Sequence, residues 1–337
     1  MTAQRPARTA ALHNGHAGLR VFLDPAAAKA AMAQDVRLGL TSRPKFLLPK
    51  YFYDSAGSAL FEQITLLPEY YPTRAEQEIL AGWAAEVMAR VRPAELVELG
   101  SGSMAKANML LSCPEGIRSV RRFVPFDVDE TVVRAAIEHL ALTRPHVDVQ
   151  GVVGDFERHL GHLETFQGRG MVVFFGSTIG NLHPPERVAL LQEVRGILGV
   201  EGRLLLGIDL VKDVHVLELA YDDPAGVTAA FNRNILRVMN NALGADFRPD
   251  AYAHRALYNG QESRIEMHLT ATSPQTVTVP GAGVTVDIAG GESIWTESSY
   301  KFTRASASAM LAEAGLRLEA WKTDRQARFA LLLAAPA

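Results

Sequence analysis

Short apolar runs alternate with helical segments over the middle of the chain, and this pattern predicts a parallel sheet. The apolar runs are predicted strands at 95–100, 121–126, 147–153, 170–176 and 203–209. Helical stretches separate them, such as 130–142 and 185–198. Strands that are apolar along nearly their whole length are typical of a parallel sheet with helices on both faces. We therefore predict an α/β, Rossmann-like domain here.

Residues 211–300 follow a different pattern, in which apolar and polar positions alternate. In RIEMHLTAT, Ile265, Met267 and Leu269 alternate with polar residues, as in a strand with one buried face. Further strands are predicted near 275–280, 283–288 and 293–302, after helices near 213–222 and 225–242. This part is predicted to be a second, antiparallel α+β domain. A helix at 304–314 and strands at 317–322 and 327–334 then return to the first sheet, where we expect one strand to be reversed.

The first 94 residues predict a tail followed by three helices. Residues 1–19 lack periodicity, so we expect a flexible tail. Helices are predicted at 24–40, 58–66 and 73–91, and the last begins at a T-x-x-E capping box formed by Thr73 and Glu76. The predicted division is a tail (1–19), a substrate-binding domain (20–73 and 211–301) and a Rossmann-like domain (74–210 and 302–337).

Composition places the chain among soluble globular proteins and argues against several classes of partner. The 337 residues are 48% hydrophobic and 21% charged, with a formal net charge of −3. That balance does not suggest nucleic acid or an anionic membrane, and no apolar run reaches the roughly 18 residues of a membrane helix. One cysteine, Cys113, fits a reducing compartment. We expect a cytoplasmic monomer that binds a small molecule.

A glycine-rich turn within LVELGSGSMAKANML (96–110) is the first candidate binding site. It fits the G-x-G-x-x-A pattern of nucleotide-binding turns, in which Gly100 and Gly102 let the backbone approach a ligand. Asp127, at the end of the next predicted strand, is placed to accept both hydroxyls of a ribose. NAD enzymes and S-adenosylmethionine (SAM) methyltransferases share these features, so other residues must separate the two.

Two residues after the third strand favour SAM over NAD. In GVVGDFE, Asp155 is placed to take the adenine amino group and Phe156 to stack nearby, as in methyltransferases. The turn also lacks the third glycine that packs a helix under a pyrophosphate, and SAM has no phosphate. The alternative without a ligand is that Asp127 and Asp155 cap strand ends.

Longer segments give the chain a more specific resemblance, which extends from about Asp35 to the C-terminus. The segments are, in chain order, KYFYDSAGSALFEQITLLPEYYPTRAE, LVELGSGSMAK, FVPFDVD, GDFE, FFGSTIGNL, LGIDLVKD, AYDDPAGVTAAFNRN, RIEMHL and WTESSYKF. With them the chain resembles the SAM-dependent L-histidine Nα-methyltransferases of ergothioneine biosynthesis. The resemblance implies transfer of three methyl groups from SAM to the α-amino nitrogen of L-histidine, which gives hercynine. It also implies a second domain that shapes the histidine pocket.

The segment WTESSYKF contains the expected imidazole contacts. On a strand, Glu297, Ser299 and Lys301 share one face, so a carboxylate and a hydroxyl lie two residues apart. The resemblance implies that Glu297 and Ser299 each take one imidazole nitrogen, and the alternative is an exposed polar strand. Unpaired buried acceptors cost roughly 1–3 kcal/mol, so this pair should exclude leucine and phenylalanine.

The resemblance also implies residues that hold the other end of the substrate. Tyr70, Asn181 and Tyr221 are expected to bind its carboxylate and amino end, and Gly176 and Thr178 line the same turn as Asn181. The structural alternatives are a helix N-cap for Asn181, before HPPERV, and a loop aromatic packed on the core for Tyr70.

Four further residues complete the expected site. Tyr53 is expected near the reacting nitrogen, as the catalytic residue that orients the amine and takes part in proton transfer. Lys106, in the glycine-rich turn, is expected at the SAM site, where the alternative is an exposed helix lysine. Phe61 and Met267 match apolar pocket positions, although their spacing alone suggests core residues.

Weaker signals point to other chemistry. GSTIG, at 176–180, places threonine where a hydrolase nucleophile elbow has serine, but no Asp–His pair follows in matching context. His13 and His16 lie in the expected flexible tail, where two histidines seldom bind a metal, and His159 with His162 lacks a convincing third ligand, so no metal site is predicted. Competing functions are an N-methyltransferase for another amino acid such as tryptophan, a silent SAM-binding module, and a hydride-transfer enzyme.

Overall fold

The computed structural model describes residues 8–12 and 17–337. Its strands are β1 (Arg8–Leu12), β2 (Ala17–Val21), β3 (Lys45–Phe46), β4 (Glu95–Leu99), β5 (Arg122–Asp127), β6 (Asp148–Val153), β7 (Gly170–Phe174), β8 (Arg203–Asp209), β9 (Tyr252–Asn259), β10 (Arg264–Ala271), β11 (Gln275–Val279), β12 (Val284–Ile288), β13 (Ser293–Tyr300), β14 (Leu316–Thr323) and β15 (Phe329–Pro336). Its α-helices are α1 (Pro25–Thr41), α2 (Ser55–Leu66), α3 (Tyr71–Val91), α4 (Ala105–Ser112), α5 (Pro114–Ser119), α6 (Glu130–Thr143), α7 (Phe156–His159), α8 (Pro184–Leu198), α9 (Val214–Tyr221), α10 (Val227–Leu243) and α11 (Arg304–Glu313). Within these residues, no helix combines the length and the apolar character needed to cross a membrane.

The largest sheet has the strand order β1-β2-β6-β5-β4-β7-β8-β15-β14. Neighbours from β2 to β8 pair in parallel, whereas β15 runs antiparallel to β8 and β14 antiparallel to β15. The Rossmann-like α/β fold and the reversed strand near its edge are therefore confirmed. Because the strand order changes direction at β4, the carboxyl ends of β4 and β7 flank a crevice of the kind in which such sheets bind ligands.

Both faces of this sheet are buried. On β4, Leu96 points into one apolar core, while Val97 and Leu99 point into another, and each is at most 1% exposed. Helices α3, α4 and α6 cover the first face, and α8 and α11 cover the second. Burying one large aliphatic side chain in this way stabilises the fold by about 1.5–3 kcal/mol.

A separate apolar core lies between α10 and a four-stranded sheet of order β3-β13-β10-β9. On α10, Phe231, Ile235 and Met239 recur every four residues and are buried, so this helix has one apolar face. On β10, Ile265 and Leu269 are fully buried, as their alternation with polar residues predicts. Strand β9 of this sheet was not predicted.

The chain leaves the large sheet and returns to it at one place. Leu210, just after β8, forms a parallel bridge with Phe302. The Val211 N–H donates to the Phe302 carbonyl at 3.0 Å, and the Phe302 N–H donates to the Asp209 carbonyl at 2.8 Å. The intervening segment, which contains β9, β10 and β13, therefore begins and ends side by side.

The N-terminal region differs from the predicted tail. Residues 8–12 and 17–21 form β1 and β2, and β2 pairs in parallel with β6. Leu19 is only 1% exposed and lies in the apolar core under the sheet. The prediction of a flexible tail is thus wrong for residues 8–12 and 17–19, because burial of Leu19 and pairing with β6 anchor the segment. His13 and His16 lie outside the described residues.

The start of α3 also differs from the prediction. The helix begins at Tyr71, two residues before Thr73, with Pro72 in its first turn, a position that suits proline. Glu76 is fully buried and does not complete a capping box at Thr73. Its carboxylate instead accepts hydrogen bonds from Gly176, which lies 100 residues away. A tertiary contact has overridden the local signal.

Candidate active site

The glycine-rich turn after β4 is open toward the carboxyl edge of the large sheet. Gly100 and Gly102 have φ angles of +67° and +47°, a region that residues with side chains rarely adopt. A Cβ atom placed on either glycine would meet no atom of the described chain within 4 Å. The backbone therefore favours glycine at both positions, and free space lies in front of the turn.

Asp127 stands at the end of β5, beside this turn. Its Oδ2 accepts a hydrogen bond from the Gly102 N–H at 3.1 Å, and its Oδ1 accepts one from the Asp129 N–H at 3.1 Å. Burial raises the pKa of the Asp127 carboxyl, while these two N–H groups oppose the rise. A carboxylate has about four acceptor sites, so Asp127 retains capacity for a pair of ribose hydroxyls.

Asp155 and Phe156 follow β6 at the same edge of the sheet. The Asp155 side chain accepts from the Glu157 N–H at 3.0 Å and so caps α7, as the alternative without a ligand expects. The Phe156 ring packs edge-on against Phe174, with ring centroids 5.4 Å apart. Capping uses only part of the acceptor capacity of a carboxylate, so it is compatible with binding an adenine amino group.

The H-x-x-H pair belongs to an aromatic stack. Phe22 stacks on His162 with ring centroids 4.6 Å apart and on His159 with centroids 5.8 Å apart. Burial lowers the pKa of His159, whose Nδ1 lies 3.0 Å from the Asp155 nitrogen. Across residues 8–12 and 17–337, no group of three or more His, Cys, Asp or Glu side chains could hold a metal ion.

Two buried polar atoms at the turn have no hydrogen-bond partner in the described part of the chain. They are Glu98 Oε2 and Ser101 Oγ. Burial also raises the pKa of Glu98 well above its usual value. Buried polar atoms without partners are rare, so each calls for an explanation. Together with the open glycines and Asp127, they fit a ligand that carries both a nucleoside and an amino-acid tail, as SAM does.

A cavity beside this edge brings together residues from widely separated parts of the chain. It is lined by the predicted catalytic residue and by every predicted substrate residue, namely Tyr53, Phe61, Tyr70, Gly176, Thr178, Asn181, Tyr221, Met267, Glu297 and Ser299. Ile64, Ala220, Thr228 and Phe231 complete the lining. The structure therefore brings these residues to one cavity, and their individual roles stay predictions.

A bulge in β13 shapes the polar wall of the cavity. Met267 of β10 pairs with Glu297, but the next residue, His268, pairs with Trp295, so Thr296 is the extra residue. The Thr296 hydroxyl lies 2.7 Å from Asn232 Oδ1 and 3.0 Å from the Met267 carbonyl. Bulges re-aim the side chains around them. This one is anchored by Thr296 and precedes the two cavity residues Glu297 and Ser299.

The ionisable side chains of the cavity have raised pKa values. Burial raises the pKa of Glu297 to about 7, and the Lys301 ammonium partly offsets the rise. Burial also raises the pKa values of Tyr53, Tyr70 and Tyr221 well above their usual value. The three tyrosines are therefore neutral phenols near pH 7, and Glu297 is the carboxyl group that titrates near neutrality.

A buried ionic cluster lies behind Ser299 and Tyr221. Lys301 Nζ lies 2.9 Å from Asp209 Oδ2, 2.8 Å from Ser299 Oγ and 3.0 Å from Tyr221 Oη. Lys212 Nζ pairs with the other oxygen of Asp209 at 2.6 Å. Burial opposes ionisation of Asp209, but Lys301 and Lys212 outweigh it and lower its pKa. Burial lowers the pKa of Lys212 to about 8.

Aromatic rings form a second wall. Tyr53 packs edge-on against Phe61 and Phe231, with centroid distances of 5.7 Å and 5.6 Å. Phe61 in turn packs edge-on against Tyr70 at 6.1 Å, and Tyr70 against Tyr221 at 6.3 Å. Edge-to-face contacts of this kind fix ring orientation and leave ring faces available.

The segment after β7 places Asn181 in the cavity. Residues Thr178–Asn181 form a short 3₁₀ helix. The N-cap of the following helix α8 is His183, with Glu186 completing a capping box, so Asn181 does not have the N-cap role considered as its alternative. Its side chain is therefore not committed to the start of α8.

Glu76 connects the glycine-rich turn to the segment after β7. Its carboxylate accepts from the Gly176 N–H at 3.0 Å and pairs with Lys106 Nζ at 2.5 Å. Lys106 is thus held at the sheet edge by a fully buried partner, which differs from an ordinary exposed helix lysine. Glu76, which the local T-x-x-E pattern assigned to a capping box, instead joins the glycine-rich turn to the segment after β7.

Residues 32–336 match the family of histidine-specific, SAM-dependent methyltransferases. The chain belongs to this family. Among its relatives, the histidine N-alpha-methyltransferase of Mycolicibacterium smegmatis is 50% identical over 313 residues, which cover 93% of this chain and 97% of that protein. The protein of the same name from Mycobacterium tuberculosis is 50% identical over 305 residues, 90% of this chain and 95% of that protein. Ergothioneine biosynthesis protein 1 of Schizosaccharomyces pombe is 30% identical over 236 residues, 67% of this chain and 30% of that protein.

Several residues at the site of this histidine-specific methyltransferase were not predicted to belong to it. Asp209 ends the apolar strand β8, and a lone acidic residue at such a position was an available signal. Lys301 shares a strand face with Glu297 and Ser299, which was visible in the alternation of WTESSYKF. Phe231 lies on the apolar face of α10 and gave no signal that distinguishes it from core.

Proposed function

We propose that this chain transfers three methyl groups from SAM to the α-amino nitrogen of L-histidine, giving hercynine for ergothioneine biosynthesis. Family membership supports the co-substrate and the substrate class. The observation that carries the proposal is that a carboxyl group, Glu297, and a buried hydroxyl group, Ser299, line the same cavity. An imidazole ring offers two nitrogens on one edge, and these two side chains can take one each.

The other polar residues of the cavity suit the amino-acid end of histidine. Tyr70 is a phenol at neutral pH and can donate to a carboxylate, and the Tyr221 ring lies beside it with ring centroids 6.3 Å apart. Asn181 carries both a donor and an acceptor, so it can contact the carboxylate or the amine. We assign these three residues to the backbone end of histidine, with Phe61 and Met267 as apolar wall and Gly176 and Thr178 on the adjoining turn.

For SAM, we assign residues along the carboxyl edge of the large sheet. Gly100 and Gly102 provide the open turn, Asp127 the acceptor for the ribose, and Asp155 with Phe156 the adenine contacts. Lys106 supplies a cation suited to the carboxylate of the amino-acid tail and is oriented by Glu76. SAM itself supplies a methyl group already activated by the sulfonium charge.

The chain's task in the reaction is to present a neutral amine. We assign Tyr53 to orientation, because a phenol keeps its proton near neutral pH, and burial raises the pKa of Tyr53 further, so its oxygen is not a strong base there. The phenol oxygen can still accept a hydrogen bond from the amine and hold its lone pair in line. In this proposal the ammonium proton leaves through water.

The aromatic wall supports successive methylation. Each added methyl group removes an N–H donor, and a permanently charged ammonium remains after the third. Ring faces attract such a cation without needing an N–H. Tyr53, Phe61 and Tyr70 provide rings in the cavity. The cavity can therefore hold the mono- and dimethylated intermediates as well as histidine.

At the level of the whole chain, we propose two domains with the cavity between them. Residues 22–73 and 211–301 would form the substrate-binding domain, which starts at 22 instead of the predicted 20 because residues 17–21 pair with β6 in the large sheet. The remaining residues around the large sheet would form the methyltransferase domain. We further propose a cytoplasmic monomer that acts on the free amino acid. The separate apolar cores of the two parts support this division.

Mass spectrometry tests the proposal directly. Purified protein is incubated with SAM and each of the twenty amino acids in separate reactions. We expect a gain of three methyl groups on histidine alone. Methylation of another amino acid would overturn the imidazole roles of Glu297 and Ser299. SAM binding without any methylation would favour a silent SAM-binding module.

A further inference from the structure

Lys301 directs three hydrogen bonds at three different acceptors. Its side chain is fully buried, and its Nζ lies 2.9 Å from Asp209 Oδ2, 2.8 Å from Ser299 Oγ and 3.0 Å from Tyr221 Oη. An ammonium group has three N–H donors and no lone pair. All three donors are therefore used, and the oxygens of Ser299 and Tyr221 must both act as acceptors toward Lys301.

The two hydroxyl groups also contact each other. Tyr221 Oη and Ser299 Oγ are 2.8 Å apart, so one of them donates to the other. A phenol is much more acidic than an aliphatic alcohol, and the more acidic hydroxyl is the better donor. The Tyr221 phenol also keeps its proton, because burial raises its pKa. Tyr221 is thus the donor and Ser299 the acceptor in this pair.

A lone-pair count then determines what Ser299 offers the cavity. A serine oxygen has two acceptor sites and one O–H. Lys301 fills one site and Tyr221 fills the other. The O–H is the remaining hydrogen-bonding group of Ser299, and this residue lines the cavity. It can donate to a nitrogen that carries no hydrogen, but it cannot accept from an N–H.

We propose that Lys301 is a positioning residue that makes Ser299 an obligatory hydrogen-bond donor, so that the cavity selects the neutral imidazole of histidine in one tautomer. The N–H of the ring then faces Glu297, and its bare nitrogen faces Ser299. An imidazolium carries two N–H groups, one of which would meet the Ser299 proton. This inference rests on the proposed binding of histidine and adds the protonation state in which the ring is bound.

Asp209 is the acidic partner of Lys301 inside the protein. A buried lysine without an acidic partner tends to lose its proton, which would return a lone pair to the cluster. Asp209 is 1% exposed, pairs with Lys301 and Lys212, and accepts a hydrogen bond from the Tyr71 hydroxyl at 2.8 Å. The Asp209 carboxylate therefore gives the buried Lys301 side chain an acidic partner, while Lys301 Nζ also donates to Ser299 and Tyr221.

Removal of Lys301 has a defined chemical consequence. Without the ammonium, Ser299 accepts from Tyr221 alone and regains a free lone pair, so it can accept from an imidazole N–H. The variant Lys301→Met should bind histidine as a mixture of protonation states and less tightly. Lys212→Met is the matched control, because it removes a cation from the same carboxylate. Within the described residues, the hydrogen bonds of Lys212 go to Asp209, Tyr71 and the Leu210 carbonyl.

The experiment is ¹⁵N NMR of ring-labelled L-histidine bound to the full-length protein with S-adenosylhomocysteine at pH 7.5, together with steady-state kinetics. For the wild type and Lys212→Met, we expect one N–H nitrogen and one bare nitrogen in the bound ring. For Lys301→Met, we expect loss of that signature and a KM for histidine at least tenfold higher, with a smaller change in kcat. Unchanged affinity for S-adenosylhomocysteine checks that the variants are folded.

The results that would contradict the inference differ from the result that would contradict the proposed function. Two N–H nitrogens in the wild-type complex would overturn the inference, as would a Lys301→Met variant with the wild-type spectrum and KM. Failure of the wild type to bind histidine while it binds S-adenosylhomocysteine would overturn the proposed function instead. If Lys301→Met does not fold, Tyr221→Phe frees the other lone pair of Ser299 and should likewise lead to loss of the bare-nitrogen signal.

Discussion

Glu297 is a carboxyl group whose burial favours the neutral form, whereas recognition of an imidazole N–H requires the charged form. Its pKa is raised to about 7, against about 4.3 for an unperturbed glutamate. The folded protein therefore binds a proton that the unfolded chain releases between these two values. The contribution of this proton to the free energy of unfolding is fully present below about pH 4.3 and is lost as the pH rises through 7.

Replacement of Glu297 by glutamine should remove that loss. In the absence of ligands, we expect Glu297→Gln to raise the free energy of unfolding by about 1–3 kcal/mol at pH 8 and to change it little at pH 5. Urea denaturation at the two pH values measures the difference. An equal effect at both pH values would show that burial of charge at Glu297 is not its cause.

The same residue should control which amino acid is methylated. Loss of a charged acceptor for the imidazole N–H costs about 1.5–3 kcal/mol. We therefore expect Glu297→Ala to lower kcat/KM for histidine by about 10- to 100-fold and to relax selectivity toward aromatic amino acids. Parallel kinetics with histidine and tryptophan measure both effects. Glu262→Ala, at an exposed glutamate between β9 and β10, is the control, and unchanged histidine kinetics in Glu297→Ala would contradict the assignment.

Among the elements, α3 has a role that exceeds packing, because it brings Glu76 to two separate segments. The Glu76 carboxylate pairs with Lys106 from α4 and accepts the Gly176 N–H after β7. Breaking a buried ion pair leaves an uncompensated charge, which is usually more costly than the pair was worth.

The variant Glu76→Gln keeps an acceptor for Gly176 but leaves Lys106 without its charged partner. We expect it to lower the free energy of unfolding by about 3 kcal/mol. The control is Glu78→Gln on the same helix, whose side chain is 43% exposed and pairs with Arg325, and which should cost less than about 1 kcal/mol. Urea denaturation of both variants gives the comparison, and equal losses would show that burial of Glu76 does not matter.

The elements also show what a single sequence can predict. The strands from β4 to β8 were predictable, because strands buried on both faces are nearly continuous apolar runs, even though β6 includes the partly exposed Asp148 and Gln150. Strand β9 was missed because most of its positions are partly exposed, which leaves no clear alternation to read. Strand β2 was missed because it is short and rich in small residues, and its stability comes from pairing with β6.

The residues of the site likewise divide into those with a local sequence signal and those that depend on long-range contacts. Residues that share a local pattern, such as Glu297 and Ser299, were predictable as a pair, although Lys301 on the same strand face was not assigned to the site. Glu76 was misinterpreted, because T-x-x-E is a local signal and the partner that overrides it lies 100 residues away. Asp209 and Lys301 each looked unremarkable alone, since their pairing depends on the meeting of two sheets.

At the scale of the whole molecule, two separate parts of the chain line the cavity. A ligand bound there should therefore protect both parts from hydrogen exchange. Glu297 and Ser299 come from β13, while Thr178 and Asn181 come from the segment after β7. At a ligand concentration of 100 Kd, binding stabilises the folded protein by about 2.7 kcal/mol through mass action.

Hydrogen exchange can detect this joint effect. With S-adenosylhomocysteine present, we expect L-histidine to slow amide exchange in β13 and in residues 178–181 at the same ligand concentration. D-histidine, which has the opposite configuration at the α-carbon, is the control and should protect these amides less. Protection confined to β13 would mean that the substrate does not reach the segment after β7.

The adjacent entry and exit of residues 211–301 suggest how this architecture could diversify. The bridge between Leu210 and Phe302 holds the two ends of the segment together, so a segment of different length would meet the large sheet at the same two points. An exchange there would keep the methyl-donor half of the molecule and replace the part of the acceptor pocket that residues 211–301 supply. A chimera made there would also have to include α1 and α2, because both pack in the core of the inserted segment.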